Sequence, residues 1–183
     1  MIRLFVGVEL PENIKKQVLA LDKNLCGALW KGGEKLHLTL SFVGNVEEPQ
    51  AEELIRELRF IQFPAFHLSL KEIGFFENSG IPHHLWTGIE EVKALKELQE
   101  KVAGVVRKVG LSGRDKFKFH PHVTLAKLQG TTMSDVMAYI AANNLFHSDL
   151  FRVDSFCLFS SLAKENGEGK YYKVEERYPL ILE

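Results

Sequence analysis

The order of apolar and polar positions along the chain predicts short strands interleaved with amphipathic helices. Ile2–Val8 is almost continuously apolar and reads as a strand that enters the core early. Pro11 opens a helix with Ile14, Val18, Leu21 and Leu25 at helical spacing, ended by Gly27 and Gly32-Gly33. A second helix follows Pro49, with Ala51, Leu54, Ile55 and Leu58 on one stripe. Phe66–Phe76 and Leu85–Ile89 read as strands, separated by the turn residues Asn78-Ser79-Gly80. The longest stripe is Val92, Leu95, Leu98, Val102, Val105 and Val109, which predicts a third helix stopped by Gly110 and Gly113. A further helix is expected around Val136, Met137 and Ile140, ending at Asn143-Asn144. Phe151–Phe159 and Tyr171–Tyr178 read as the last strands, with a turn over Glu165–Gly169.

Two strands stand apart in this pattern. Phe119–Leu128 carries His122 and Thr124 on one face and Val123 and Leu125 on the other, because strand side chains alternate. Leu36–Phe42 repeats the arrangement, with His37 and Thr39 on one face and Leu38, Leu40 and Phe42 on the other. A single His-x-Thr on a strand is commonplace and reads as a structural histidine. Chance rarely produces two, each followed by Leu on an apolar strand.

The two copies register with a wider repeat. Placing His37 on His122, 85 residues later, sets Phe66 on Phe151, Leu68 on Val153 and Ile73 on Leu158. At a slightly shorter offset, Leu4-Phe-Val-Gly-Val-Glu9 resembles Leu85-Trp-Thr-Gly-Ile-Glu90. The expectation is one bilobal domain over residues 1–183, built by internal duplication, with the motif repeats near 37–40 and 122–125. A pseudo-two-fold axis would set His37 and His122 opposite each other across a cleft.

Composition narrows this picture. The chain has 183 residues, 45% hydrophobic and 26% charged, enough for one substantial core or two small lobes. A formal net charge of −1 argues against a long nucleic-acid footprint and leaves room for a short contact with a strand end. Cys26 and Cys157 match no metal or redox spacing and read as core or half-buried thiols in a reducing compartment. Glu9 interrupts any signal-like run, and no apolar stretch approaches membrane-spanning length, so the cytoplasm is the expected location.

Two opposed imidazoles suit acid–base chemistry, since a pKa near ~6.5 keeps both protonation states accessible at neutral pH. In-line cleavage of a phosphodiester needs a base on the attacking oxygen and an acid on the leaving one. Threonine hydroxyls beside the histidines can donate to the non-bridging oxygens. His120, His122 and His37 could instead hold zinc. Against that, Thr is a poor zinc ligand and no carboxylate lies beside either motif in sequence.

Three blocks resemble a known family. Arg3-Leu-Phe-Val-Gly-Val-Glu-Leu-Pro11, His37-Leu-Thr-Leu-Ser-Phe-Val-Gly44 and His120-Pro-His-Val-Thr-Leu-Ala-Lys127 resemble the RNA 2′,3′-cyclic phosphodiesterases of bacteria and archaea. These are two-histidine (2H) phosphoesterases, first named 2′-5′ RNA ligases. The resemblance runs from Ile2 to about Pro179. It implies a bilobal α+β fold with an antiparallel sheet in each lobe and the active-site groove between them. It implies hydrolysis of a terminal 2′,3′-cyclic phosphate to a 2′-phosphate, without metal or other cofactor. By the same resemblance His37 is the proton donor, His122 the acceptor, and Thr39 and Thr124 bind phosphate. The near-symmetric halves alone leave donor and acceptor open. Lys127 stands where family members often carry Arg, and strict alternation puts it on the face away from His122. It is therefore a candidate phosphate ligand on one reading and a solvated lysine on the other. Cleavage or formation of 2′-5′ linkages and a non-catalytic RNA-end binding module are the alternative functions. The expected partners are RNA ends or small cyclic nucleotides, no membrane, and no second subunit.

Other residues are secondary. Arg107, Lys108, Arg114, Lys116 and Lys118, with Lys31 and Lys35, could form a positive rim. Phe5, Trp30, Phe42 and Trp86 are candidate stacking platforms, Trp30 being the one expected to be exposed. His67, His83, His84 and His147 read as surface or structural.

Overall fold

The structure, a computed structural model, describes residues 1–21, 23–90, 93–111, 118–164 and 169–182. Its centre is β1 (Ile2–Glu9), whose run Leu4–Val8 is buried throughout because the strand is flanked on both edges and covered on both faces. α1 (Glu12–Leu19) follows Pro11, with Ile14 and Val18 buried. It is shorter than its apolar spacing suggests: Leu21 lies past its end, and Leu25 is buried from the following loop. β2 (Ala28–Trp30) and a single 3-10 turn, Gly33–Lys35, lead into β3 (His37–Val46). α2 (Glu48–Leu58), β4 (Phe66–Leu68), β5 (Leu70–Asn78), β6 (Ile81–Ile89) and α3 (Lys93–Lys108) complete the first run. β7 (His122–Leu128), α4 (Met133–Asn143), β8 (Phe151–Val153), β9 (Ser155–Ala163) and β10 (Lys170–Pro179) follow.

The runs expected to be single strands over 66–76 and 151–159 are each split. The chain leaves one sheet for another at Ser69 and Asp154, where Leu70 N–H donates to Ser148 Oγ (2.8 Å) and Leu180 N–H donates to Asp154 O (2.7 Å). β4 and β8 pair with each other, while β5 and β9 join the main sheet. β6 starts earlier than expected, at Ile81. Ser79 and Gly80 (φ 51° and 79°) form a two-residue hairpin loop of the kind whose twist matches paired strands. The second His-x-Thr strand starts later than expected, at His122 rather than Phe119. The third helix buries Val106, while Val105 is half-buried; Val92, Gly113 and the 165–168 part of the last turn lie outside the described residues.

The main sheet runs β10-β9-β1-β3-β7-β6-β5, with β2 also on β7. Four antiparallel strands (β10, β9, β1, β3) form one lobe and four (β2, β7, β6, β5) the other. They join through β3 and β7 at a single register pair, Leu38↔Val123. The strands are exchanged between halves. β5, from the first half of the chain, pairs along its length with β6, and β9, from the second half, is the outer neighbour of β1. β3 and β7, α2 and α4, β4 and β8, and β5 and β9 each begin 85 residues apart. The helices cover one face over the large core. The opposite face bears a small separate cluster of Phe5, Cys157 and Phe159, packed by Tyr172 and Val174.

Candidate active site

The Leu38↔Val123 pair fixes the site. Antiparallel register extended by one residue sets His37 beside Thr124 and His122 beside Thr39, all four on the face away from the helices. Two histidines and two threonines thus stand at alternating corners. His37 Nδ1 lies 2.9 Å from Lys35 O, and His122 Nδ1 lies 2.7 Å from His120 O. A carbonyl only accepts, so both rings carry hydrogen on Nδ1 and keep Nε2 for the groove. The same device, from the carbonyl two residues upstream, holds both imidazoles.

Beyond the threonines both strands bulge at the same place. β3 pairs Thr39 with Gly7, Ser41 with Val6 and Phe42 with Phe5, skipping Leu40. β7 pairs Thr124 with Trp86, Ala126 with Leu85 and Lys127 with His84, skipping Leu125. An extra residue reverses the alternation after it. Phe42 therefore shares the face of His37, and Lys127 the face of His122, against the expectation from strict alternation. Phe42 is 50% exposed there, and Lys127 is exposed as well. Lys31 N–H donates to the carbonyl of the bulged Leu125 (2.8 Å), which ties the Lys31 backbone to the same spot.

Aromatic side chains floor both halves of the groove. The His37 ring lies 4.8 Å from Phe5, 5.1 Å from Tyr172 and 5.9 Å from Phe159. His122 lies edge-on to Phe76 at 4.9 Å and 6.2 Å from Trp86. Trp86 lies flat because its cross-strand partner is Gly74, where an added Cβ would stand 2.2 Å from the indole ring. Phe5 is thus a buried floor rather than a platform, and Trp30 is half-buried against Tyr139 (5.8 Å).

Burial and positive charge govern the imidazoles. Burial, then the charges of Lys31 and His122, hold His37 down to about 4, against the pull of the Lys35 carbonyl. Burial lowers His122 as well, opposed by the His120 carbonyl and assisted by the charges of His120 and Lys31. His84 is lowered by burial and then by His83, Lys31, Lys127 and His122. Lys31 is itself lowered, by burial and then by Lys35. The charges that lower these four groups are Lys and His side chains, which gives the groove a positive character inside a protein with no net excess.

Several expectations need correction. A carboxylate does stand beside the first motif: Glu9 is the cross-strand partner of His37, but Arg177 pairs with it. Cys26 is exposed rather than half-buried, whereas Cys157 is buried in the groove-face cluster. His84 is on the groove face opposite Lys127, not merely structural, and His83 lies beside it. His67 is exposed on β4, and His147 sits 3.8 Å from Glu90. Of the proposed basic rim, Lys108 is engaged by Glu57 (2.6 Å) and Arg107 is exposed, while Arg114 and Lys116 lie outside the described residues. Among the described residues no three His, Cys, Asp or Glu side chains converge as a metal site. Neither Lys31 nor His84 belongs to a motif, and cross-strand pairing brings both to the groove.

The fold is that of the two-histidine phosphoesterases. The structure superposes on the Escherichia coli protein LigT with a TM-score of 0.79 over 98% of this chain and 97% of that one, at 23% identity, a likeness of fold. The family profile described as the 2′-5′ RNA ligase superfamily matches residues 10–165, and the chain belongs to that superfamily. It is 31% identical over 178 residues to an RNA 2′,3′-cyclic phosphodiesterase of Thermotoga maritima, covering 94% of this chain and 92% of that protein. An Aquifex aeolicus protein of the same name is 29% identical over 97% of both chains. Among the described residues no helix is long and apolar enough to cross a membrane.

Proposed function

We propose that this protein hydrolyses 2′,3′-cyclic phosphate ends of RNA to 2′-phosphates by acid–base catalysis from His37 and His122. The observation that carries the reading is the matched pair of imidazoles, each fixed through Nδ1 to a backbone carbonyl, with a threonine at each remaining corner. Water attacks phosphorus and gives a proton to His122 Nε2. The P–O3′ bond breaks on the opposite side, and His37 Nε2 gives O3′ its proton. Thr39 and Thr124 donate to the non-bridging oxygens, and Lys127 and Lys31 balance their charge. Phe42 offers its exposed ring to the terminal base. The names of the relatives support the substrate class.

The depressed His37 pKa bears on the acid role. A free imidazole held to about 4 is neutral at neutral pH. The bound phosphate anion supplies the missing counter-charge, raises both histidines, and lets His37 take up the proton it must donate. Catalysis on this account begins only when the groove is filled by an anion. The protein acts without a metal or other cofactor, as a monomer in the cytoplasm. The chain is one unit of two duplicated halves, a reading supported by the common 85-residue spacing of their elements.

The test is product analysis with cytidine 2′,3′-cyclic phosphate, with and without EDTA. Phosphorus NMR is expected to show a 2′-phosphate at undiminished rate in chelator. A 3′-phosphate would reverse the roles of the two histidines relative to the sugar. Loss of activity in EDTA with recovery on one metal would replace the mechanism.

A further inference from the structure

The two strands that carry the reacting groups run in opposite directions, so the groove has two unlike ends. Past His37 and Thr124, β7 leads on to Lys127, and the Lys31 backbone is tied to the Leu125 carbonyl (2.8 Å). Past Thr39 and His122, β3 leads on to Phe42. At the first end a third imidazole joins the lysines. His84 is the cross-strand partner of Lys127 on the edge of β7 away from β3, two residues from Trp86, the partner of Thr124. β6 bulges beside it: Phe76 pairs with His84 and Glu77 with Pro82, skipping His83. The extra residue brings His83 round to His84, with their Nδ1 atoms 2.5 Å apart. His84 Nδ1 is thereby engaged and Nε2 is left for the groove, the arrangement also found in His37 and His122.

The order of atoms in ribose decides what belongs at each end. O2′ sits next to C1′, which carries the base, and O3′ next to C4′, which carries the 5′ arm. A cyclic phosphate whose O3′ departs toward His37 therefore has its 5′ oxygen at the His37 end and its base at the Phe42 end. The spacing agrees: two residues of β6, from Trp86 to His84, span roughly 7 Å, the reach of a ribose from its cyclic phosphate to its 5′ oxygen. The groups at that place suit an anion. Burial, then His83, Lys31, Lys127 and His122, hold the half-buried His84 below the ordinary imidazole range in the empty groove. A phosphate lodged among them supplies the counter-charge that lets the ring take up a proton.

We propose that His84, flanked by Lys31 and Lys127, is a subsite for the phosphate on the 5′ oxygen of the terminal nucleotide. The inference deepens the hydrolase reading and rests on its assignment of O3′ to His37. The ligand is a phosphate monoester or diester: a 5′-phosphorylated mononucleotide supplies the first, an RNA chain the second. In either, His84 Nε2 donates to a non-bridging oxygen and the lysines add charge. The reacting centre is untouched, because the 5′ phosphate stands one ribose away from the phosphorus under attack. The groove thus grips the last nucleotide at base, cyclic phosphate and 5′ phosphate. It ranks a cyclic end that carries a 5′ phosphate above a free cyclic nucleoside phosphate.

The test compares cytidine 2′,3′-cyclic phosphate with and without a 5′-phosphate, and a 3′-5′ dinucleotide ending in the same cyclic phosphate. The 5′ phosphate should raise kcat/KM about tenfold, as a charge-assisted hydrogen bond does, chiefly through KM. His84→Gln should remove most of that advantage and leave kcat/KM for the bare cyclic nucleotide unchanged, which also shows that the variant folds. His84→Lys should restore the advantage. An advantage shared by the dinucleotide marks RNA ends as the source of the phosphate; one confined to the mononucleotide marks the monoester. No advantage in the wild type, an advantage intact in His84→Gln, equal losses on all substrates, or no recovery in His84→Lys would overturn the subsite. If no cyclic phosphate is hydrolysed, the hydrolase reading falls and binding decides the subsite. Cytidine 2′,5′-bisphosphate should then bind more tightly than cytidine 2′-phosphate to the wild type but not to His84→Gln, and equal binding to the wild type would overturn the subsite too.

Discussion

Leu38 and Val123 are cross-strand partners, and each directly follows a groove histidine. Both side chains are fully buried beneath the groove. The pair therefore sets the spacing of the two imidazoles from below. Leu38→Ala should cost about 2–5 kcal/mol of stability, read by chemical denaturation. It should also depress kcat more than it raises KM for the cyclic phosphate. A stability loss with unaltered kinetics would show that the spacing is held elsewhere.

His37→Ala and His122→Ala should each slow turnover by about 10²–10⁴-fold, with weaker effects on substrate binding. Thr39→Ala and Thr124→Ala should cost less, because each removes one neutral donor and leaves both proton transfers possible. Steady-state kinetics on cytidine 2′,3′-cyclic phosphate decides it. A double histidine variant as active as wild type would remove the mechanism.

The pH profile should be a bell, one imidazole protonated and the other neutral, with both limbs belonging to the coupled pair. Free His37 is held to about 4 and His122 is also lowered, so the bell in kcat/KM should centre below neutrality. The bell in kcat reports the complex, where the phosphate anion raises both groups, and should lie at higher pH. Lys31 is a cation that lowers both histidines. Lys31→Met should therefore move the kcat/KM bell toward alkaline pH while weakening phosphate binding. Coincident profiles for variant and wild type would show that the Lys31 charge is not felt at the reacting groups.

Lys127 and Phe42 should separate by substrate. Lys127→Ala removes a cation beside the phosphate and should reduce kcat/KM for every cyclic nucleotide tested. Phe42→Ala removes a stacking surface worth about 1–3 kcal/mol per base, so its effect should fall on nucleotides and spare a cyclic phosphate that has no base. Equal losses on both would assign Phe42 a structural role.

Gly74→Ala places a Cβ against the Trp86 indole and should lift that ring from the sheet. Tryptophan emission should shift, and His122, which has Trp86 and Phe76 for neighbours, should show an altered pKa by NMR titration. An unmoved spectrum would mean that the backbone of β5 yields instead.

Much of this site is legible in the amino-acid order, and what is not has a specific cause. His37, Thr39, His122 and Thr124 can be read because a strand has one residue per pleat up to the threonines. At Leu40 and Leu125 that rule breaks, and a bulge leaves no mark in an apolar run, so alternation sends Phe42 and Lys127 to the wrong face. β2, β4 and β8 are three residues long, too short to show a period. His84, Glu9 and Lys31 acquire meaning only from what lies across a strand pair. Cys26 illustrates the limit of composition: hydrophobic neighbours in sequence do not bury a residue that sits in a loop.

The exchange of β5 and β9 between the halves has a mechanical consequence. A clamp made of two independent jaws could yawn open about the chain that links them. Here the jaws are laced together by the chain, which runs from one lobe to the other before β2, before β3, before β5 and again before β9. Parting them would pull on all of those connections at once, where a clamp with one linker would turn on a hinge. The groove is in effect a fixed gauge: a terminal phosphate is measured against a preset gap, and ends that do not fit are refused rather than accommodated. The same lacing makes the halves mutually dependent. Residues 1–80 and 81–183 made as separate pieces would each lack the strand partner that the other supplies, β6 for β5 and β1 for β9, and should be idle apart and competent only when mixed.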